Sequence, residues 1–255
     1  MVEVLHGAAV ADPYRWLEDG DDPATLTWTT AQNGRTRAVL DAIPARSVLH
    51  ERLLALLQVG AVGAPAVAGN RVFTLDREGD QDQAVLVVRS AEHPDEPPRL
   101  LIDPQRLAAD HAAAVDWFSP SPDGRLVAYG ISEAGTERGT LRVLDADANV
   151  VLDDAIPNVR HPSVAWLPDG SAFAYSRLPD PDSVPEGDDG YWETVWWHRI
   201  GDTDDELVLG DLDRTALPLA GLSPDGRWMV LQVHLLPTRT DVLLVDRGPG
   251  QRTVV

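Results

Sequence analysis

Among the residues that could act as nucleophiles, Ser223 comes nearest to a hydrolase context, in Gly221-Leu222-Ser223-Pro224-Asp225. A nucleophile elbow needs Gly-x-Ser-x-Gly on a sharp strand-to-helix turn. Here the last glycine is replaced by Asp225, and Pro224-Asp225-Gly226 reads as a tight turn between strands. Ser223 is therefore not assigned as a nucleophile. Seven histidines are present: His6, His50, His93, His111, His161, His198 and His234. None stands in His-x-x-x-His or His-Glu-x-x-His spacing, so no zinc site is expected. Sequence distance alone cannot join any of them to an acid and a hydroxyl as a relay.

The acidic stretch Asp180-Pro181-Asp182 with Gly187-Asp188-Asp189-Gly190 lacks the alternating oxygen ligands and distal glutamate of a calcium loop. It reads as a solvated insertion. There is no glycine-rich phosphate loop, so no cofactor is expected. The chain has no cysteine, which removes disulfides, thiolate metal sites and cysteine nucleophiles. With 41 acidic and 21 basic residues the formal net charge is −20, the wrong sign for a nucleic-acid partner. Residues 1–25 hold no basic segment followed by an apolar one, and no apolar run approaches the ~18 residues of a membrane span. Together with the absence of cysteine this fits a cytoplasmic protein.

The elements that would position any site fall into two regions. Residues 1–60 read as helical. Asp22-Pro23 suits a helix start, and Leu49, Leu53, Leu54, Leu56 and Leu57 make a largely one-sided stripe on a second helix over Ser47 to Gln58. After Gly60 the pattern changes to short β-prone runs, among them 71–75, 84–89, 99–102, 126–131, 140–144, 172–176, 194–200, 206–209, 228–233 and 241–245.

An internal repeat runs through this second region. Ser121-Pro122-Asp123-Gly124-Arg125 is echoed by Leu167-Pro168-Asp169-Gly170-Ser171 and by Ser223-Pro224-Asp225-Gly226-Arg227, with a weaker echo at Ala68-Gly69-Asn70-Arg71. The aspartates are 46 and then 56 residues apart. A period of this length, with several short strands in each unit, is the signature of a β-propeller blade. Val115-Asp116-Trp117 and Val164-Ala165-Trp166 read as inner strands whose tryptophans pack between blades. The expected fold is mainly β: a partial propeller of about four blades over 61–255, preceded by a short helical arm over 1–60. Arg252 to Val255 reads as a strand just beginning after the turn Gly248-Pro249-Gly250, so the sequence is expected to stop inside a blade.

Asp12-Pro13-Tyr14-Arg15-Trp16-Leu17-Glu18-Asp19, with His6-Gly7 and Val10 before it and Gln32-Asn33 after it, resembles the N-terminal signature of the prolyl oligopeptidase family of serine peptidases. The resemblance extends through the blade turns to about Val245. It implies a seven-bladed propeller over the active site and an N-terminal arm that packs on a C-terminal α/β-hydrolase domain carrying Ser, Asp and His. No such domain lies within these 255 residues, so no catalytic residue is assigned. The implied partners are short proline-containing peptides and that hydrolase domain. The implied activity is endopeptidase cleavage after proline, with this chain gating access and inactive alone. In Val159-Arg160-His161 the family often places an aromatic where His161 stands, facing the bound peptide, and Leu217 matches an apolar position facing the same pocket. A stand-alone partial propeller serving as a protein-binding scaffold is the second expectation.

Overall fold

The computed structural model describes residues 2–107, 113–133, 135, 138–161, 163–235 and 239–248. The expected strand at Arg252 to Val255, most of the turn before it, and His111 lie outside the described residues. The chain divides into two compact units, Met1–Val59 and Gly60–Val255.

The first unit is not helical throughout. It opens with a hairpin, β1 (Val2–Leu5) against β2 (Ala8–Ala11). The turn is His6-Gly7, with φ of 51° and 83°. Two consecutive positive-φ residues make the kind of tight turn that matches strand twist, and the sequence reading missed it. Helix α1 (Pro23–Leu40) begins where expected. The Asp22 carboxylate accepts a 2.7 Å hydrogen bond from the Ala24 amide, and Pro23 fills the first turn. Helix α2 covers Arg46–Leu57. Its leucines 49, 53, 54, 56 and 57 are all exposed.

The second unit is a succession of antiparallel sheets. The first contains β3 (Ala61–Val62), β4 (Ala66–Ala68), β5 (Arg71–Arg77), β6 (Val85–Ser90) and β7 (Arg99–Ile102), with β3 and β4 both paired to β5. The second is the meander β8 (Ala113–Pro120), β9 (Leu126–Glu133), β10 (Thr140–Asp145) and β11 (Val150–Ile156). The third is β12 (Val164–Trp166), β13 (Ala172–Arg177), β14 (Thr194–Arg199) and β15 (Glu206–Leu209). The fourth shows β16 (Ala216–Leu222), β17 (Trp228–Leu235) and β18 (Arg239–Asp246). This is the partial propeller read from the repeat. The three strong echoes fall at the same place, between the first and second strands of a sheet, and the weak one joins β4 to β5.

The turns are held by their own side chains. Ser121 Oγ donates to Asp123 Oδ1 at 2.6 Å and accepts the Leu126 amide at 2.9 Å, and Asp123 Oδ1 also accepts the Arg125 amide at 3.0 Å. Ser223, Asp225, Arg227 and Trp228 repeat this set. Gly124, Gly170 and Gly226 have φ between 68° and 72°, which a side chain would strain. They also lie against the preceding turn. A Cβ on Gly124 would sit 2.5 Å from the Ala68 carbonyl oxygen, and one on Gly226 would sit 2.9 Å from Leu167.

The core lies between sheets. Phe73, Leu86 and Val88 of the first pack with Val127, Tyr129 and Leu144 of the second. Trp117, Leu141, Val143 and Ile156 of the second pack with Trp166, Phe173 and Tyr175 of the third. Ala174, Val195 and Trp197 of the third pack with Met229, Leu231 and Val245 of the fourth. Removing a large side chain of this kind from water contributes about 1.5–3 kcal/mol, so alternation along each strand dictates this stacking. The tryptophans do pack between neighbours: Trp166 Nε1 donates to the Ser119 carbonyl of the preceding sheet at 3.1 Å.

Candidate functional site

His161 and Leu217, the two positions singled out in the sequence, line one cavity of about 360 Å³ in the second unit. Leu217 lies on β16 of the fourth sheet, and His161 precedes β12 of the third. Arg160, Leu178, Tyr191, Glu193, Arg214 and Ala216 complete most of the wall.

The neighbouring strands fix this geometry. Ser176 Oγ on β13 donates to the Pro218 carbonyl at 2.6 Å and lies 3.1 Å from Ser163 Oγ. This ties β16 to the third sheet one residue beyond Leu217. The 188–193 segment is pinned from the other side. Arg214 donates to Asp188 Oδ1 from Nε at 3.0 Å and from Nη2 at 2.5 Å, and its guanidinium stacks 3.7 Å from the Tyr191 ring centroid. The Trp192 amide donates to the Arg214 carbonyl at 3.0 Å. The acidic insertion is thus tied in through its carboxylates: Asp189 accepts from Arg138 at 2.7 Å, and Asp180 accepts from Asn158 at 2.9 Å.

Glu193 is the unexpected member of this wall. It is 3% exposed, and its Oε1 is buried without a hydrogen-bond partner. Burial pushes its carboxyl up to about 7, against the pull of the Arg160 charge. Nothing in Trp192-Glu193-Thr194 marks this residue in the sequence, because an acid at the head of a strand ordinarily faces water.

A second polar centre joins the second and third sheets. His198 Nε2 lies 2.8 Å from Asp154 Oδ1, and Nδ1 lies 2.7 Å from Asp205 Oδ1. The Tyr175 hydroxyl donates to the other oxygen of Asp205, and the Gly201 amide donates to Asp154 at 2.7 Å. Burial opposes charge on the imidazole, but hydrogen bonds to Asp205 and Asp154 outweigh it and hold the His198 pKa above its ordinary value. For Asp205, burial is likewise outweighed by His198 and Tyr175, so its pKa is lowered. The arrangement looks like a catalytic relay, yet both imidazole nitrogens face carboxylates. Neither is left to take a proton from a nucleophile. A cavity of about 270 Å³ beside it has Thr203 as the hydroxyl in its wall. The centre is an inter-sheet clasp.

The remaining candidates are placed without chemistry. Ser223 is committed to its turn. His234 bonds Thr240 at 3.0 Å across β17 and β18. No helix among the described residues is long and apolar enough to cross a membrane.

Comparison with known proteins agrees with this architecture. The family model for the prolyl oligopeptidase N-terminal β-propeller domain matches residues 1–251. The prolyl endopeptidase of Elizabethkingia meningoseptica is 31% identical over 212 residues, covering 82% of this chain and 29% of that protein. That of Elizabethkingia miricola is 30% identical over 249 residues, covering 96% of this chain and 35% of that protein. A solved structure from a study of two prolyl endopeptidases and their inter-domain dynamics superimposes with a TM-score of 0.87 at 28% identity, covering all of this chain and 38% of that one. Prolyl oligopeptidase B from Galerina marginata, bound to a 35-residue hydrolysis and macrocyclization substrate, has the same fold, with a TM-score of 0.80 at 23% identity over 97% of this chain and 38% of that one. The chain spans about a third of the length of these relatives. With the propeller, its turns and the N-terminal signature all accounted for, the chain belongs to the prolyl oligopeptidase family, whose N-terminal β-propeller portion it contains.

Proposed function

We propose that this chain is the substrate-admitting portion of a serine endopeptidase that cleaves short peptides after proline. It supplies part of the gate and one wall of the binding cavity. The nucleophile comes from a hydrolase domain outside these 255 residues. The observation that carries the reading is that His161, ahead of β12, and Leu217, on β16, are far apart in sequence yet line one cavity of a size suited to a peptide side chain. The exposed leucines of α2 support a second part of the proposal, in which residues 1–60 form an arm that covers them against the hydrolase domain. A cytoplasmic location is proposed on the absence of cysteine.

The test is calorimetric titration of the chain with blocked proline-containing tetrapeptides. Measurable binding that falls about tenfold in His161→Ala and Leu217→Ala supports the reading. Binding unaffected by either substitution, or no binding, overturns it. Immunoblotting of source cells with an antibody against residues 1–60 tests the wider claim. A product about three times the mass of this chain is expected, since the chain covers 35% of its relative. A product of 27.7 kDa would instead support a stand-alone scaffold.

A further inference from the structure

Among the described residues lining the cavity of His161 and Leu217, Glu193 has a buried carboxyl oxygen without a hydrogen-bond partner. This atom, Oε1, lies in a wall where Leu178, Tyr191, Ala216 and Leu217 stand beside Arg160, His161 and Arg214. A buried acceptor left without a donor is costly, and a ligand that brings a donor removes that cost on binding. Arg214, on the same wall, is occupied by Asp188 and stacked on Tyr191, so its charge is already answered within the protein.

We propose that this cavity is a subsite for a lysine or arginine side chain of the bound peptide. Its methylene stem lies against Leu178, Ala216 and Leu217, and its charged nitrogen donates to the Glu193 carboxylate. The inference rests on the peptide-binding reading above and adds the class of side chain accepted. Apolar stem and charged head match the two halves of the wall. The net charge of −20 favours the approach of a cation.

Proton linkage follows. The Glu193 carboxyl, held up to about 7, ionises across neutral pH, so preference for a basic residue grows as pH rises from 6 to 8. The other charged or titratable groups lining the cavity are Arg160 and His161 ahead of β12, Arg214 ahead of β16, and Tyr191 on its own segment, which also carries Asp188, the partner of Arg214. His161 lines the same cavity. Its contribution has to be separated by His161→Gln.

The experiment is calorimetry of the 255-residue chain with three blocked proline-containing tetrapeptides, alike except for lysine, norleucine or glutamate at one position. Each is titrated at pH 6 and pH 8 into the wild type, Glu193→Gln and His161→Gln. The expected result at pH 8 is binding of the lysine peptide at least about fivefold tighter than norleucine. That preference should be lost in Glu193→Gln, with norleucine binding retained, and should keep its rise with pH in His161→Gln. Equal binding of lysine and norleucine peptides by the wild type overturns the subsite while peptide binding stands. Preference for the glutamate peptide also overturns it, assigning the cavity to Arg160. Failure of all three peptides to bind overturns the peptide reading and the subsite together.

Discussion

The imidazole of His198 on β14 lies 2.8 Å from the carboxylate of Asp154 on β11, so one buried ion pair joins the third strand of one sheet to the last strand of its neighbour. Both side chains are 2% exposed. Replacing Asp154 leaves His198 answered by Asp205 alone, which costs about 1–3 kcal/mol. Asp154→Asn is expected to lower unfolding stability by that amount in urea. An isosteric amide that cost less than about 1 kcal/mol would show that the clasp is not ionic.

The same clasp gives a pH signature. Because the His198 pKa is raised by folding, the native state binds more protons than the unfolded chain above pH ~6.5. Its stabilisation is therefore fully present below that pH and is lost as pH rises through the folded pKa. Asp205, whose pKa is lowered, contributes above pH ~4 and loses its contribution in acid. The urea midpoint of the wild type should decline from pH 6.5 upward, and His198→Gln should flatten that limb while lowering stability overall.

Glu193 acts in a different window. Its folded pKa of about 7 lies above the ordinary 4.5, so the native state binds the extra proton between these values. Stability falls as pH rises through this range. Glu193→Gln removes the penalty. It should be close to neutral at pH 4 and stabilising by about 2–3 kcal/mol at pH 8. Equal effects at both pH values would show that the carboxyl titrates normally.

Trp117 presses on a glycine. A Cβ on Gly130 would fall 2.3 Å from Trp117 Nε1 and 2.4 Å from Cε2. Gly130→Ala must displace the indole from the core between the second and third sheets and should cost at least about 2 kcal/mol. Near-ultraviolet circular dichroism should report the displaced ring, and an unchanged spectrum would contradict this packing.

Ser223 offers the test of a purely structural serine. Its hydroxyl donates to Asp225 and accepts from the Trp228 amide. Ser223→Ala should lower stability by about 1–2 kcal/mol. Peptide binding at the His161 cavity, which Ser223 does not line, should be unchanged. Loss of peptide binding without loss of stability would overturn this assignment.

The sequence made the turn-bearing hairpins legible because their chemistry is local: serine, aspartate and glycine satisfy one another within a few residues. Strands β7 and β15 fell where their β-branched and leucine-rich runs placed them. Strand β11 was missed because Asp153-Asp154 interrupts its apolar pattern, and Asp154 points to a partner 44 residues away. Strand β16 was missed because Pro218 and Gly221 are poor strand formers. A strand paired, among the described residues, only to β17 tolerates both. The β1–β2 hairpin was read as helical because Val2–Ala11 is too short for its period to show. Of the cavity, His161 and Leu217 were reached through the family resemblance. Glu193 could not be, because its burial leaves no trace in its own neighbourhood.

The stacked turns have a consequence for how this architecture can vary. Gly124 meets the Ala68 carbonyl, Gly170 meets Ser121, and Gly226 meets Leu167 and Pro168. Each sheet is thus seated on the one before it through glycines at a fixed station. At Gly124 and Gly226 the turns touch too closely for a side chain, much as voussoirs bear on one another in an arch. A methyl added at Gly124 or Gly226 would have to unseat one turn from the next, whereas Gly170 meets Ser121 at an ordinary 3.5 Å and has room to spare.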